Sequence, residues 1–233
     1  PRPRFYDIIA ERVARPITPN DYADRLNGEP FSMMARGHVL EPEALAMFEE
    51  KTGKKLDKDS VVWVSDDDEN IYISPDGTIT DEKGKCKEAV EVKCLGSDAV
   101  VEAYLTGKPP KEYDAQIIKY FVVNQDLETL HFVIYTDVIP GLEMQIFDIH
   151  RKDVEARIED AREFEKAVMK LIADAAEKIE RKLREVDVPI YPNGAHNLAF
   201  HLLGLGFGML RVFHCFSTIN RPSSLIVTQF RGM

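Results

Sequence analysis

The chain has 233 residues, 44% of them apolar and 30% charged, so it is long enough for one or two domains and is not disordered by composition. Thirty basic against forty acidic residues give a net charge of −10, which argues against broad coating of nucleic acid and against binding to an anionic membrane; a local basic groove stays open, because screening confines charge effects to about 8–10 Å. Cys86, Cys94 and Cys215 give neither a disulfide framework nor a CxxC zinc pair. Their odd number, with no secretory leader in view, sets a reducing, cytoplasmic compartment as the expectation.

In chain order, the proline-rich residues 1–35 predict a short helix around Phe5–Ala14 and a second near Asp21–Leu26, started by Thr18-Pro19. The chain begins at Pro1 rather than Met, so its N-terminal part is expected to be incomplete. Leu40, Ala44, Met47 and Phe48 recur at helical spacing and predict a helix over 36–51, closed by Thr52-Gly53. Short strands follow at Val61–Val64 and Ile71–Ser74, then Ala89–Leu95 beyond a polar loop at Asp81–Glu88. Val100–Leu105 and Lys111–Val123 read as helices. Leu130–Val138 and Glu143–Ile149 read as a strand hairpin about Pro140-Gly141. Residues 151–186 form a long charged helix with one apolar stripe, its charged side a solvated face.

The composition then changes. Residues 193–233 hold Arg211, Arg221 and Arg231 but no Lys, Asp or Glu, so residues 1–192 carry −13. Leu198–Phe216 is apolar, yet Arg211 within it makes a poor membrane span, at about 2.5–3.5 kcal/mol for a central arginine. A buried contact and a segment foreign to the domain, such as the product of a shifted reading frame, both remain open. The expected organisation is one α/β domain over 1–191 and an apolar tail over 192–233 of unknown role. The histidines and glycines of the tail match no metal or nucleotide motif.

The chemistry collects around Ser74-Pro75-Asp76-Gly77 and Glu91-Val92-Lys93. Two strands joined by a polar loop bring Asp76 and Glu91 together, and strand periodicity puts Glu91 and Lys93 on one face. Paired carboxylates repel, and a shared cation relieves them; hard oxygen donors suit Mg²⁺ or Mn²⁺ rather than zinc. Lys93 could hold or deprotonate a water beside such a cation. Two polar residues also fall on apolar helix stripes: Glu41, aligned with Ala44, Leu45 and Phe48, and Gln116, aligned with Tyr113, Ile117 and Tyr120. Buried there, each needs a partner.

Taken in order, Arg36-Gly37-x-x-Leu40-Glu41-Pro42, Ser74-Pro75-Asp76-Gly77, Glu91-Val92-Lys93-Cys94 and Gln116-x-x-x-Tyr120 resemble the λ-exonuclease-like (YqaJ-type) phage recombination nucleases of the PD-(D/E)xK superfamily. The resemblance runs from about Arg36 to about Leu183. It implies a restriction-endonuclease-like core, a central mixed β-sheet of about five strands flanked by helices. It implies a Mg²⁺-dependent 5′→3′ exonuclease on linear duplex DNA, with Mn²⁺ able to substitute, often a ring-shaped homotrimer and partnered by a single-strand annealing protein. Asp76, Glu91 and the Val92 carbonyl would be metal ligands, with Glu41 completing a second metal's shell. Lys93 would orient or activate the attacking water, Gln116 would position Lys93 or the scissile phosphate, and Tyr120 would support the same face as a substrate-binding residue. Lys111 and Lys119, beside that helix, are candidates for the DNA channel wall. The family's Trp/Arg element and Ile-Thr-Ala-Ser-like turn have only a faint echo in Ile17-Thr18-Pro19. An endonuclease or repair nuclease of the same superfamily, and a catalytically silent DNA-binding scaffold, are the competing readings; no membrane partner is expected.

Overall fold

A computed structural model describes residues 3–69, 71–185 and 226–228. The N-terminal helix α1 (Pro3–Val13) and a 3-10 turn at Pro19–Tyr22 precede α2 (Met33–Thr52). The Ser32 side chain caps α2 by accepting from the Ala35 N–H at 3.0 Å, and Gly53 ends it at φ 70°, a left-handed conformation that suits glycine. Strands β1 (Val61–Val64), β2 (Tyr72–Ile73), β3 (Gly77–Thr80) and β4 (Cys86–Cys94) come next, then helices α3 (Ser97–Thr106) and α4 (Asp114–Val123). Strands β5 (Thr129–Tyr135) and β6 (Met144–His150) lead into α5 (Arg151–Glu185), and β7 (Ile226–Thr228) is the last described element.

The main sheet is mixed and four-stranded, ordered β3-β4-β5-β6. β4 and β5 are parallel, with α3 and α4 as the crossover between them, and the outer pairs are antiparallel. The expected sheet of about five strands is therefore corrected to four. β1 and β2 form a separate small sheet, in which β7 pairs parallel with β1. The hairpin at Pro140-Gly141 and the long helix stand as expected, whereas β3 is an additional strand and β4 starts three residues before its expected onset at Ala89.

Both faces of the sheet are covered. Ala89, Leu130, Phe132 and Ile134 pack under α3, α4 and the start of α5, and Val90, Val92, Val133 and Tyr135 pack under Leu40, Ala44, Leu45 and Phe48 of α2. α5 buries Val154 and Ile158 in its first turns, whereas Phe164, Leu171 and Ile179 farther along are exposed. Among the described residues no helix is long and apolar enough to cross a membrane. The expected boundary at 191/192 and the apolar stretch 198–216 lie outside the described residues.

Candidate active site

The site is built on the part of β4 that β3 leaves free. Pairing of β3 with β4 ends at Gly77↔Val90, so beyond that point β4 keeps a strand neighbour only in β5. Asp76, the residue before β3, takes the missing neighbour's place. Its N–H donates to the Val90 carbonyl at 3.0 Å, and its carboxylate accepts from the Val92 N–H at 2.7 Å. Gly77, the next residue, leaves room for Leu56 to pack over β3: a Cβ there would stand 3.1 Å from the Leu56 side chain. Asp76 is thus fixed beside Glu91 by backbone bonds.

Alternation along β4 turns Glu91 and Lys93 toward α4 and Val92 toward α2. Glu91 is only 3% exposed, which obliges it to be paired. Lys93 Nζ and the Gln116 amide both donate to Oε1, each at 2.6 Å, and the Tyr120 hydroxyl donates to Oε2 in a very short contact. The Tyr120 oxygen also lies 3.0 Å from the Ser74 carbonyl, tying α4 to the segment before Asp76. The ring of Tyr113 lies 5.4 Å from Lys93 Nζ, close enough for a cation–π contact.

Glu41 reaches the same place from α2. Burial raises its pKa first and the Glu91 charge second, against the opposing charges of His38 and Lys93. Asp76 is pushed well above the ordinary carboxylate range by burial, then by Glu91 and Glu41; the Val92 N–H and Lys93 pull the other way. Burial alone would lower Lys93, but the charge and hydrogen bond of Glu91, with Asp76 behind it, outweigh burial and hold it above the usual lysine range. Lys93 is therefore an ammonium donor in this arrangement. Cys94, on the opposite face, is a partly buried thiol pushed up to about 12 by burial.

Glu41, Asp76, Glu91, Lys93 and Gln116 are thus brought together, with Val92 supplying the backbone between the two ligand candidates. Three expectations change. Gln116 gives its amide to Glu91 rather than to Lys93. Tyr120 is wholly buried and its hydroxyl is spent on Glu91 and Ser74, so it positions a carboxylate and offers no surface to a substrate. Lys119 is paired with Glu165 of α5 at 2.5 Å, which turns its ammonium to that helix; Lys111 is exposed. The Ser74 carbonyl is a site contact that no sequence signal announces.

Among the described residues, no three His, Cys, Asp or Glu side chains stand in ready ligating geometry. The donor set nonetheless fits a hard divalent cation. Burial and then the Glu91 charge raise the pKa values of both Asp76 and Glu41, Glu41 adds to the effect on Asp76, and a cation removes that repulsion.

Comparison with known proteins bears on the same residues. The family described as the YqaJ-like viral recombinase domain matches residues 8–126, half of the chain and all five of the gathered residues. An alkaline exonuclease (LHK-Exo) from Laribacter hongkongensis is similar in structure, with a TM-score of 0.57 and 23% identity over 78% of this chain and 93% of that one. The same exonuclease in complex with dAMP gives a TM-score of 0.54 and 24% identity over 74% and 87% of the two chains. No curated protein matches the sequence. The fold is thus the restriction-endonuclease-like α/β fold of these exonucleases. Motif order, fold and family match converge on one stretch of chain, and the chain belongs to the YqaJ-like viral recombinase family as a nuclease, a hydrolase acting on DNA.

Proposed function

We propose that the chain is a divalent-metal-dependent exonuclease that degrades linear duplex DNA in the 5′→3′ direction during phage-type recombination. The observation that carries this reading is the meeting of Asp76, Glu91, Glu41 and Lys93 at the free edge of β4. Exonuclease action draws support from the fold neighbours, which are alkaline exonucleases, one in complex with dAMP. The 5′→3′ direction and the duplex substrate rest on the family resemblance, as do a homotrimeric assembly and a single-strand annealing protein as partner.

Asp76, Glu91, Glu41 and the Val92 carbonyl would hold Mg²⁺, with Mn²⁺ able to replace it. Such a cation supplies charge stabilisation at the phosphoryl oxygens and a more acidic water. Asp76 keeps its carboxylate in place through the Val92 N–H. Gln116 and Tyr120 hold the two oxygens of Glu91. Lys93 is in place to donate to a phosphate oxygen or to orient the attacking water, and the Tyr113 ring helps hold its ammonium there. Lys111 is an exposed cation beside α4 that would meet the DNA backbone.

The test is digestion of 5′-phosphorylated, 5′-hydroxyl and circular duplexes with and without Mg²⁺, by the parent chain and by Asp76→Asn. The asparagine keeps an acceptor for the Val92 N–H while removing the charge. Linear duplexes shortened from their 5′ ends only with Mg²⁺, and only by the parent, are expected. Nicking or cutting of circles would point to the endonuclease reading, and undiminished cleavage by Asp76→Asn would remove Asp76 from the site.

A further inference from the structure

Arg36 is 0% exposed, although it lies on the same helix stripe as Leu40 and Ala44. Its guanidinium works in three directions. Nε donates to the Tyr22 hydroxyl at 2.9 Å, Nη2 to Asp137 Oδ1 at 2.6 Å, and Nη1 points at the Cys94 and Leu95 carbonyls, each at 3.4 Å. Tyr22 in turn donates to Asp137, and Arg15 pairs with the same carboxylate from its exposed side.

The placement of these partners is informative. Arg36 stands five residues before Glu41 on α2, and Lys93 is directly followed by Cys94, the last residue of β4, and then by Leu95. One buried side chain therefore links the helix that carries Glu41 to the strand that carries Glu91 and Lys93. A buried ion pair is a weak source of stability, since well-packed apolar residues commonly replace it at no loss. What an apolar replacement does not reproduce is the rigid fork with its fixed directions.

We infer that Arg36 is a positioning residue, which sets the spacing of Glu41 from Glu91 and thereby the affinity of the site for a divalent cation. The inference rests on the metal-dependent reading above. It predicts a defect in cation binding and turnover that is separable from folding.

The experiment compares the parent chain with the all-apolar variant Tyr22→Phe/Arg36→Met/Asp137→Leu and with Arg36→Lys. Three quantities are read: the melting temperature without metal, Mn²⁺ binding by calorimetry, and kcat against KM on linear duplex. The triple variant should melt within a few degrees of the parent, bind Mn²⁺ about 10–100-fold more weakly, the usual effect of losing a group that orients a ligand, and lose kcat while KM for DNA stays within twofold. Arg36→Lys should be folded and intermediate. A folded triple variant with the parent's Mn²⁺ affinity and kcat overturns the proposal. If the triple variant does not fold, Arg36→Lys decides by the same titration, and parental affinity there overturns it too. A parent that neither binds Mn²⁺ nor cuts DNA refutes the nuclease reading itself, independently of Arg36.

Discussion

At the scale of single residues, the buried carboxylates set the behaviour. Removing the Tyr120 hydroxyl as Tyr120→Phe leaves Glu91 Oε2 without that donor, and urea unfolding in a chelator should show a loss of about 1–3 kcal/mol. Asp137 gives a pH dependence with a definite sign. Burial raises its pKa, but hydrogen bonds from Arg36 and Tyr22 and the Arg36 charge outweigh burial, and the folded value lies below the unfolded one. Its contribution is therefore present above the unfolded carboxylate value of about 4 and is lost as pH falls through the depressed folded value. Asp137→Asn should cost about 3–5 kcal/mol at neutral pH, because it leaves Arg36 buried without its countercharge. The gap between parent and variant should shrink below about pH 4, where melting curves check it. Glu41 and Gln116 were legible because a polar residue on an apolar stripe demands a partner. Arg36, four residues before Leu40, meets the same criterion, yet nothing local names its partners, which come from residues 14 to 101 positions away. The Tyr120 bond was not legible either, since the direction of a hydroxyl depends on how α4 sits over β4.

At the scale of elements, periodicity located nearly every helix and strand, and tertiary pairing moved their ends. β3 escaped because its four residues begin inside the Pro75-Asp76-Gly77 turn signal and carry no alternation of their own; its strand form comes from the ladder to β4, closed by the turn at Asp81–Lys85. β4 begins early for the same reason, with Glu88 already opposite Thr129 of β5. The closeness of Asp76 to Glu91 was legible, but not the strand that brings it about: Ile71–Ser74 read as the neighbour of Ala89–Leu95, whereas β2 pairs with β1 and it is β3, directly after Asp76, that pairs with β4. The α4–α5 junction makes a further prediction. Arg151 donates to the carbonyls of Phe121, Asn124 and Leu127 at 2.6–2.9 Å, and so closes the C-terminal end of α4. Arg151→Ala should lower stability by about 2 kcal/mol or more, since several buried carbonyls lose a charged donor. Arg151→Lys should recover only part, because an ammonium cannot span the carbonyls as a fork does. Chemical denaturation without metal checks both.

At the scale of the whole molecule, a chain of net charge −10 must gather its positive groups locally to hold DNA. In the proposed trimer, three copies of Lys111 would face the duplex, and light scattering at micromolar concentration should return three times the chain mass. Lys111→Ala should lower the slope of log affinity against log salt by about 0.9 for each phosphate that the lysine neutralises. Lys119→Ala, by contrast, should act first on stability through Glu165. A monomer that still digests long duplexes without dissociating would defeat the ring. The architecture was legible as α/β, but the sheet count was not, because β1 and β2 have strand composition and only the fold shows that they stand apart from the main sheet. The free edge of β4 has one more consequence. An unpaired strand edge invites the strands of other molecules. Here Asp76 covers that edge with a polar carboxyl group that takes up the Val92 N–H, while the Lys93 ammonium sets a charge beside it. The groups proposed to cut DNA would therefore also act as gatekeepers against aggregation. Asp76→Val should lose solubility on storage well before Asp76→Asn does, although both are expected to be inactive, and turbidity at matched concentration would separate the two duties of one carboxylate.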